Sequence, residues 1–165
     1  MHVLDQDAPG LAERLRTLPA EIQQDLLAKA CLRTAEGADY SDPIVTECLA
    51  ELRSRGALSE RLAAAAVSAS KRADEQYIAA TAQTTSGHES LRIFSVARLL
   101  RAMGIAFGAV PDEGPADAVY ELTRAVDDPS TVIGSIQSGI RVQAQRRDNP
   151  GADGTFPTVR KPRQK

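Results

Sequence analysis

The chain of 165 residues is 42% hydrophobic and 25% charged, has no Trp, and sets 20 Lys and Arg against 22 Asp and Glu. That length and apolar share suit a single domain with a buried core, which excludes a wholly disordered chain and a large two-domain enzyme. A formal net charge of −2 excludes a general nucleic-acid coat and a polyacidic solvating chain.

The first residues, Met1 to Asp7, are acidic and lack the apolar stretch of a secretory signal. No later window approaches the ~20 apolar residues of a membrane helix. Leu11, Leu15 and Leu18 predict a short first helix. Pro19 opens a second, with Ile22, Leu26, Leu27, Ala30 and Cys31 on its inner stripe and Gly37 as its stop. Ser41-Asp42-Pro43 reads as a cap and first-turn proline for a third helix, whose stripe is Ile44, Val45, Cys48, Leu49 and Leu52, with Gly56 following it.

Ser59 caps a fourth helix reaching about Thr81, with an alanine-dense face (Ala63, Ala66, Ala69) that lets neighbours approach closely. Ser86 to Glu89 matches a capping box. The helix it opens carries Leu91, Phe94, Leu99, Leu100 and Met103, and Gly104 is read as its stop. Ile105 to Val110 forms an apolar connector; a strand there has no partner elsewhere. Asp112 caps a sixth helix with Val119, Leu122 and Val126 inward. Asp128-Pro129 starts a seventh with Val132, Ile133, Ile136 and Ile140, which Gly134 and Gly139 weaken by roughly 1 kcal/mol each. Alternation of strand period is missing throughout. The prediction is an all-α bundle of six to seven helices over residues 1–146, followed by a disordered basic tail, 147–165, rich in Pro, Gly and charge. The two Asp-Pro starts do not recur with a solenoid period.

Chemistry-bearing patterns are few. There is no GxxxxGK[ST], no GxGxxG after a strand, no HExxH and no CxxC, so no cofactor or metal site is expected. His88, beside Ser86 and Glu89 and one turn before Arg92, reads as a small Ser/His/Glu site, as an anion pocket, or as a helix cap with an exposed imidazole. Cys31 and Cys48 lie equally far from the centre of the loop between their helices, which puts them at one level of an antiparallel pair. They read as two buried thiols in a reducing, cytosolic compartment, a redox bridge being the alternative.

Charge is unevenly distributed. Residues 146–165 carry a net +4 and the rest −6. Asp112 to Asp128 alone holds six acids against Arg124. Asp112, Glu113, Asp117 and Glu121 are therefore candidates for a surface that meets a basic protein partner. The competing reading assigns Asp112, Asp127 and Asp128 to helix starts and turns Asp117 toward Arg98. In the tail, Arg160, Lys161, Arg163 and Lys165 are candidates for weak, salt-sensitive contact with nucleic acid or an anionic membrane. A helix-turn-helix across Leu99 to Val126 would present acids to phosphate, which disfavours DNA reading by the folded body.

Leu27-Ala28-Lys29-Ala30-Cys31, then Asp42-Pro43-Ile44, Glu47, Leu49 and Leu52, and the alanine-dense helices after them resemble small all-α immunity proteins encoded beside bacterial polymorphic toxins. The resemblance spans about residues 20–107. It departs from that family at Arg53-Ser54-Arg55-Gly56, where a tryptophan is expected. It implies a non-catalytic protein that binds and occludes a toxin domain, and it transfers no functional residue. The expected function is a helical protein-interaction module of this inhibitor type. The alternatives are an accessory protein acting through its basic tail and a small enzyme using His88.

Overall fold

Helical periodicity runs through residues 4–36, 40–83 and 87–148, which the computed structural model describes as eight α-helices, with no strand among them. These are α1 (Leu4–Asp7), α2 (Leu11–Arg16), α3 (Ala20–Glu36), α4 (Pro43–Arg55), α5 (Glu60–Ala82), α6 (Gly87–Ala106), α7 (Pro115–Arg124) and α8 (Pro129–Asp148). The protein is all-α. No helix among the described residues is long and apolar enough to cross a membrane.

Local capping chemistry starts several of these helices where expected. The Asp42 carboxylate accepts from the backbone N–H groups of Ile44 and Val45 at 2.8 and 3.2 Å, with Pro43 in the first turn. The Ser59 hydroxyl accepts from the Leu62 N–H, and is itself tied to Glu51 of α4, which takes both the Ser59 hydroxyl and the Ser59 N–H at 3.1 Å. Those bonds, the backbone N–H first, hold the Glu51 carboxyl below its usual range. Asp128 accepts from the Ser130 hydroxyl and N–H at the start of α8.

Helices α5 and α6 form an antiparallel hairpin whose register is fixed by three contacts along its length. Gly104 lies against Ala63 and Val67, Arg98 pairs with Asp74, and Phe94 meets Tyr77. Ala63, Ala66, Ala69, Ser70 and Ala73 are all buried along α5, as the alanine stripe predicts. A Cβ on Gly104 would overlap Cγ2 of Val67 and lie 3.4 Å from the Ala63 carbonyl oxygen, so the close approach requires glycine there. Around this hairpin, α3 packs on α6, α7 and α8, while α1 and α2 pack on α7. Leu4, Leu11, Ala12 and Leu15 of α1 and α2 are almost completely buried.

Several boundaries differ from the sequence expectation. The N-terminal region folds as two short helices, separated by Gly10 in the left-handed region, and the second stops at Arg16, leaving Leu18 half-buried beyond it. Helix α6 does not stop at Gly104. It continues to Ala106 and closes on Gly108 at φ +81°, whose N–H bonds the Ile105 carbonyl while the Ala109 N–H bonds the Gly104 carbonyl. The apolar connector is thus the buried end of a helix followed by a glycine-based cap. Helix α7 starts from Gly114 and Pro115 rather than Asp112, with the Asp117 carboxylate accepting the Gly114 N–H at 2.8 Å. Helix α8 runs to Asp148, two residues past the expected end of the ordered domain. The stop assigned to Gly37, the Ser86 cap and the expected disorder of the tail lie outside the described residues.

The two glycine environments predict opposite outcomes. Gly134 in α8 has open space around a Cβ, so Gly134→Ala should raise unfolding free energy by about 0.5–1 kcal/mol in a denaturant titration. Gly104→Ala should lower it, because overpacking of about 1–3 kcal/mol against β-branched Val67 outweighs the gain in helix propensity.

Candidate functional site

The acidic segment divides: Asp112, Asp127 and Asp128 are exposed, while Glu113, Asp117 and Glu121 are engaged within the fold. Glu121 is only 8% exposed and its carboxylate pairs with Arg98 at 3.0 Å and Arg101 at 3.4 Å. Glu113, in the turn before α7, pairs with Arg101. Asp117 caps the start of α7. Arg98 reaches the other way to Asp74 of α5. Sequence spacing pairs Arg98 with Asp117; the structure gives it Glu121, one helical turn further along α7. Of the four acids assigned to a partner surface, Asp112 is exposed, Glu113 and Asp117 are half-buried and engaged within the fold, and Glu121 is not on the surface.

These pairings also orient α7. Glu113 opposes Arg101, Glu121 opposes Arg98, and Arg124 lies over the ring of Phe94, so α7 runs antiparallel to α6. Ten residues of helix span ~15 Å, against ~30 Å or more for α5 and α6. Helix α7 packs on α6 and therefore covers only part of its length, ending level with Phe94.

Where α7 ends, aromatic and cationic groups gather. Tyr77 and Phe94 rings sit 5.3 Å apart at 52°, a tilted arrangement. Arg98 and Arg124 lie 5.2 and 5.1 Å from the Phe94 centroid, and Arg124 also lies 5.7 Å from that of Tyr120. Beyond this cluster the hairpin carries Ile78 at 66% exposure and Leu91 at 63%. Leu91 is one turn before Phe94 on the face of α6 that α7 covers lower down, and Ile78 is one turn after Asp74 on α5. Periodicity alone places Leu91 on the inner stripe of its helix. It is exposed because the hairpin extends past the helix that would cover it.

The remaining candidates are scattered. His88 and Glu89 are both exposed in the first turn of α6, and Arg92 donates to the Ser41 hydroxyl at 3.1 Å. Ser86 and the tail residues Arg160, Lys161, Arg163 and Lys165 lie outside the described residues. Cys31 and Cys48 are both fully buried and unbridged. Burial pushes the Cys31 thiol up to about 12, with Cys48 adding to it, and pushes Cys48 to about 11, with Glu47 and Glu51 adding. An open cleft of about 530 Å³ lies between α3 and α8, bounded by Ala30, Arg33, Thr34, Val126, Val132 and Ser135, with Arg33 donating to Ser135 at 3.2 Å. No cluster of three His, Cys, Asp or Glu side chains among the described residues is placed to hold a metal ion. No protein family, curated protein or solved structure matches the chain.

The inward acids and the thiols each generate a measurable expectation. Arg98→Met should cost about 3–5 kcal/mol of stability by leaving Glu121 buried without a counter-charge, and adding Glu121→Leu should recover part of the loss. Neither thiol should react with a water-soluble disulfide reagent at pH 8 until denaturant is added. Because both thiols are more basic in the folded chain than the ordinary 9.0, stability should hold below about pH 9 and fall as pH rises toward 11–12.

Proposed function

We propose that this chain is a non-catalytic helical module that binds and occludes a partner protein, in the manner of the immunity-type inhibitors it resembles, and that it works in the reducing cytosol. The observation that supports this reading best is the exposed face at the end of the α5–α6 hairpin, where Ile78 and Leu91 flank the Tyr77, Phe94, Tyr120 and Arg124 cluster. Tyr, Phe and Arg are the residue types enriched at protein interfaces. The acidic segment gives less support than its charge count suggests, because Glu113 and Glu121 neutralise arginines of the same chain. Two free, buried cysteines fit a reducing compartment.

Affinity capture from native lysate should retain one protein in stoichiometric amount on the full chain and on residues 1–148. The Ile78→Glu/Leu91→Glu variant should lose it, with the helical circular dichroism unchanged because both positions are exposed. If the partner has an enzymatic activity, adding one equivalent of this chain should suppress it. Absence of any stoichiometric protein from the wild-type eluate would overturn the reading.

A further inference from the structure

Helices α3 and α8 run antiparallel, since Arg33 bonds Ser135 while Leu26, two turns earlier, packs against Gly139, one turn later. The open cleft at Arg33 continues along both helices. A second hollow of about 440 Å³ shares Arg33, Glu36 and Ser135 with it and extends to Leu26, Leu32, Val142 and Arg146. The two form one groove beside most of α8, in which Val142 is 46% exposed and Leu32 half-buried. Charge changes sign along it. Glu36 lines one end, where Asp127 and Asp128 are exposed at the start of α8, and Arg146 lines the other. Lys29, between them, is paired with Asp25.

Residues 149–165 continue from α8 at the Arg146 end of this groove. Asn149-Pro150-Gly151 is a turn sequence, suited to sending the chain back along the helix. Beyond it, Phe156 and Val159 are the bulky apolar residues, with Pro157 and Pro162 around them and Arg160 and Lys161 following. Proline favours an extended helix of three residues per turn and ~3.1 Å rise, which puts Phe156 and Val159 on one face, ~9 Å apart. Leu26 and Leu32, six residues apart on α3, are separated by the same ~9 Å. The chain is long enough to reach them. Gly139, level with Leu26, lies ~14 Å before the end of α8, and the eight residues from Asp148 to Phe156 span up to ~27 Å.

We propose that the chain's own C-terminal segment, residues 153–161, docks in the α3–α8 groove, antiparallel to α8, with Phe156 at Leu26 and Val142 and Val159 at Leu32. In that register the charges also match. Asp153 falls beside Arg146, and Arg160 and Lys161 fall beside Glu36, Asp127 and Asp128. The first cations of the segment then meet acids of the same chain instead of phosphate. Slipping the register by one turn of the extended chain separates both sets of charges.

The test uses the full chain carrying Thr158→Cys with a nitroxide attached at neutral pH, where the buried Cys31 and Cys48 stay unlabelled. Amide signals of Arg33 and Ser135 should lose more than about half their intensity, more than any others in α3 and α8. Phe156→Ser should restore them to within about 10% of the diamagnetic values. Glu36→Lys, or about 0.5 M NaCl, should recover at least half of the loss. No loss at these amides, or a loss strongest elsewhere on the body, overturns the proposal. So does a loss that survives Phe156→Ser, or one that charge reversal and salt both leave unchanged. The same loss on an isotope-labelled chain without nitroxide, mixed with a nitroxide-bearing unlabelled one, assigns the groove to the segment of a second copy and also overturns it.

Discussion

A single guanidinium ties three helices together. Arg98 of α6 reaches Asp74 on α5 with one nitrogen and Glu121 on α7 with another, and its plane lies over Phe94. Taking these charges out of water is costly, so the arrangement tolerates little displacement: sliding either neighbour by a turn would leave a buried charge without a counter-ion. The network therefore sets register more than it adds net stability. Arg101 extends it to Glu113, in the turn that leads into α7. The placement of α7 along α6 follows from these pairings.

Close packing provides the other half of the constraint. The buried stripe of α5 is mostly alanine and serine, and Gly104 of α6 admits Val67 where a side chain would collide. Such a pair of helices gains little from large apolar groups at the contact and relies on dispersion between closely spaced atoms. The larger side chains of α6, Leu99, Leu100 and Met103, are completely buried. The same small-residue seam runs toward the hairpin end, where Tyr77 and Phe94 replace it. In a chain with six aromatic residues in all, three meet in this one cluster.

Much of this architecture is legible in the sequence wherever the cause is local. Asp42-Pro43, Ser59 and Asp128-Pro129 start helices because a side-chain oxygen two or three residues away satisfies exposed N–H groups, and that chemistry is visible without a fold. Helix ends are harder. Gly104 and Gly108 look alike in sequence, yet one is a packing contact inside the helix and the other is the left-handed residue that ends it. The site is the least legible part. Charge counting locates the acids but not the arginines that neutralise them, because Asp74, Arg98 and Glu121 are brought together only by the tertiary arrangement. Leu91 carries the right period for a core position, and its exposure depends on the length of α7, a neighbour that comes later in the chain. A comparison of the predicted lengths of adjacent helices is the one signal that could have found it.

The packing of α1 and α2 on α7 has a consequence for the order in which the molecule assembles. The α5–α6 hairpin joins segments that are close in sequence, and its loop closes at small entropic cost. Leu4, Leu11 and Leu15, by contrast, find their neighbours about a hundred positions downstream, on a helix synthesised long after them. These leucines therefore gain their cover only once α7 is in place, and a chain lacking α7 would leave them exposed to water.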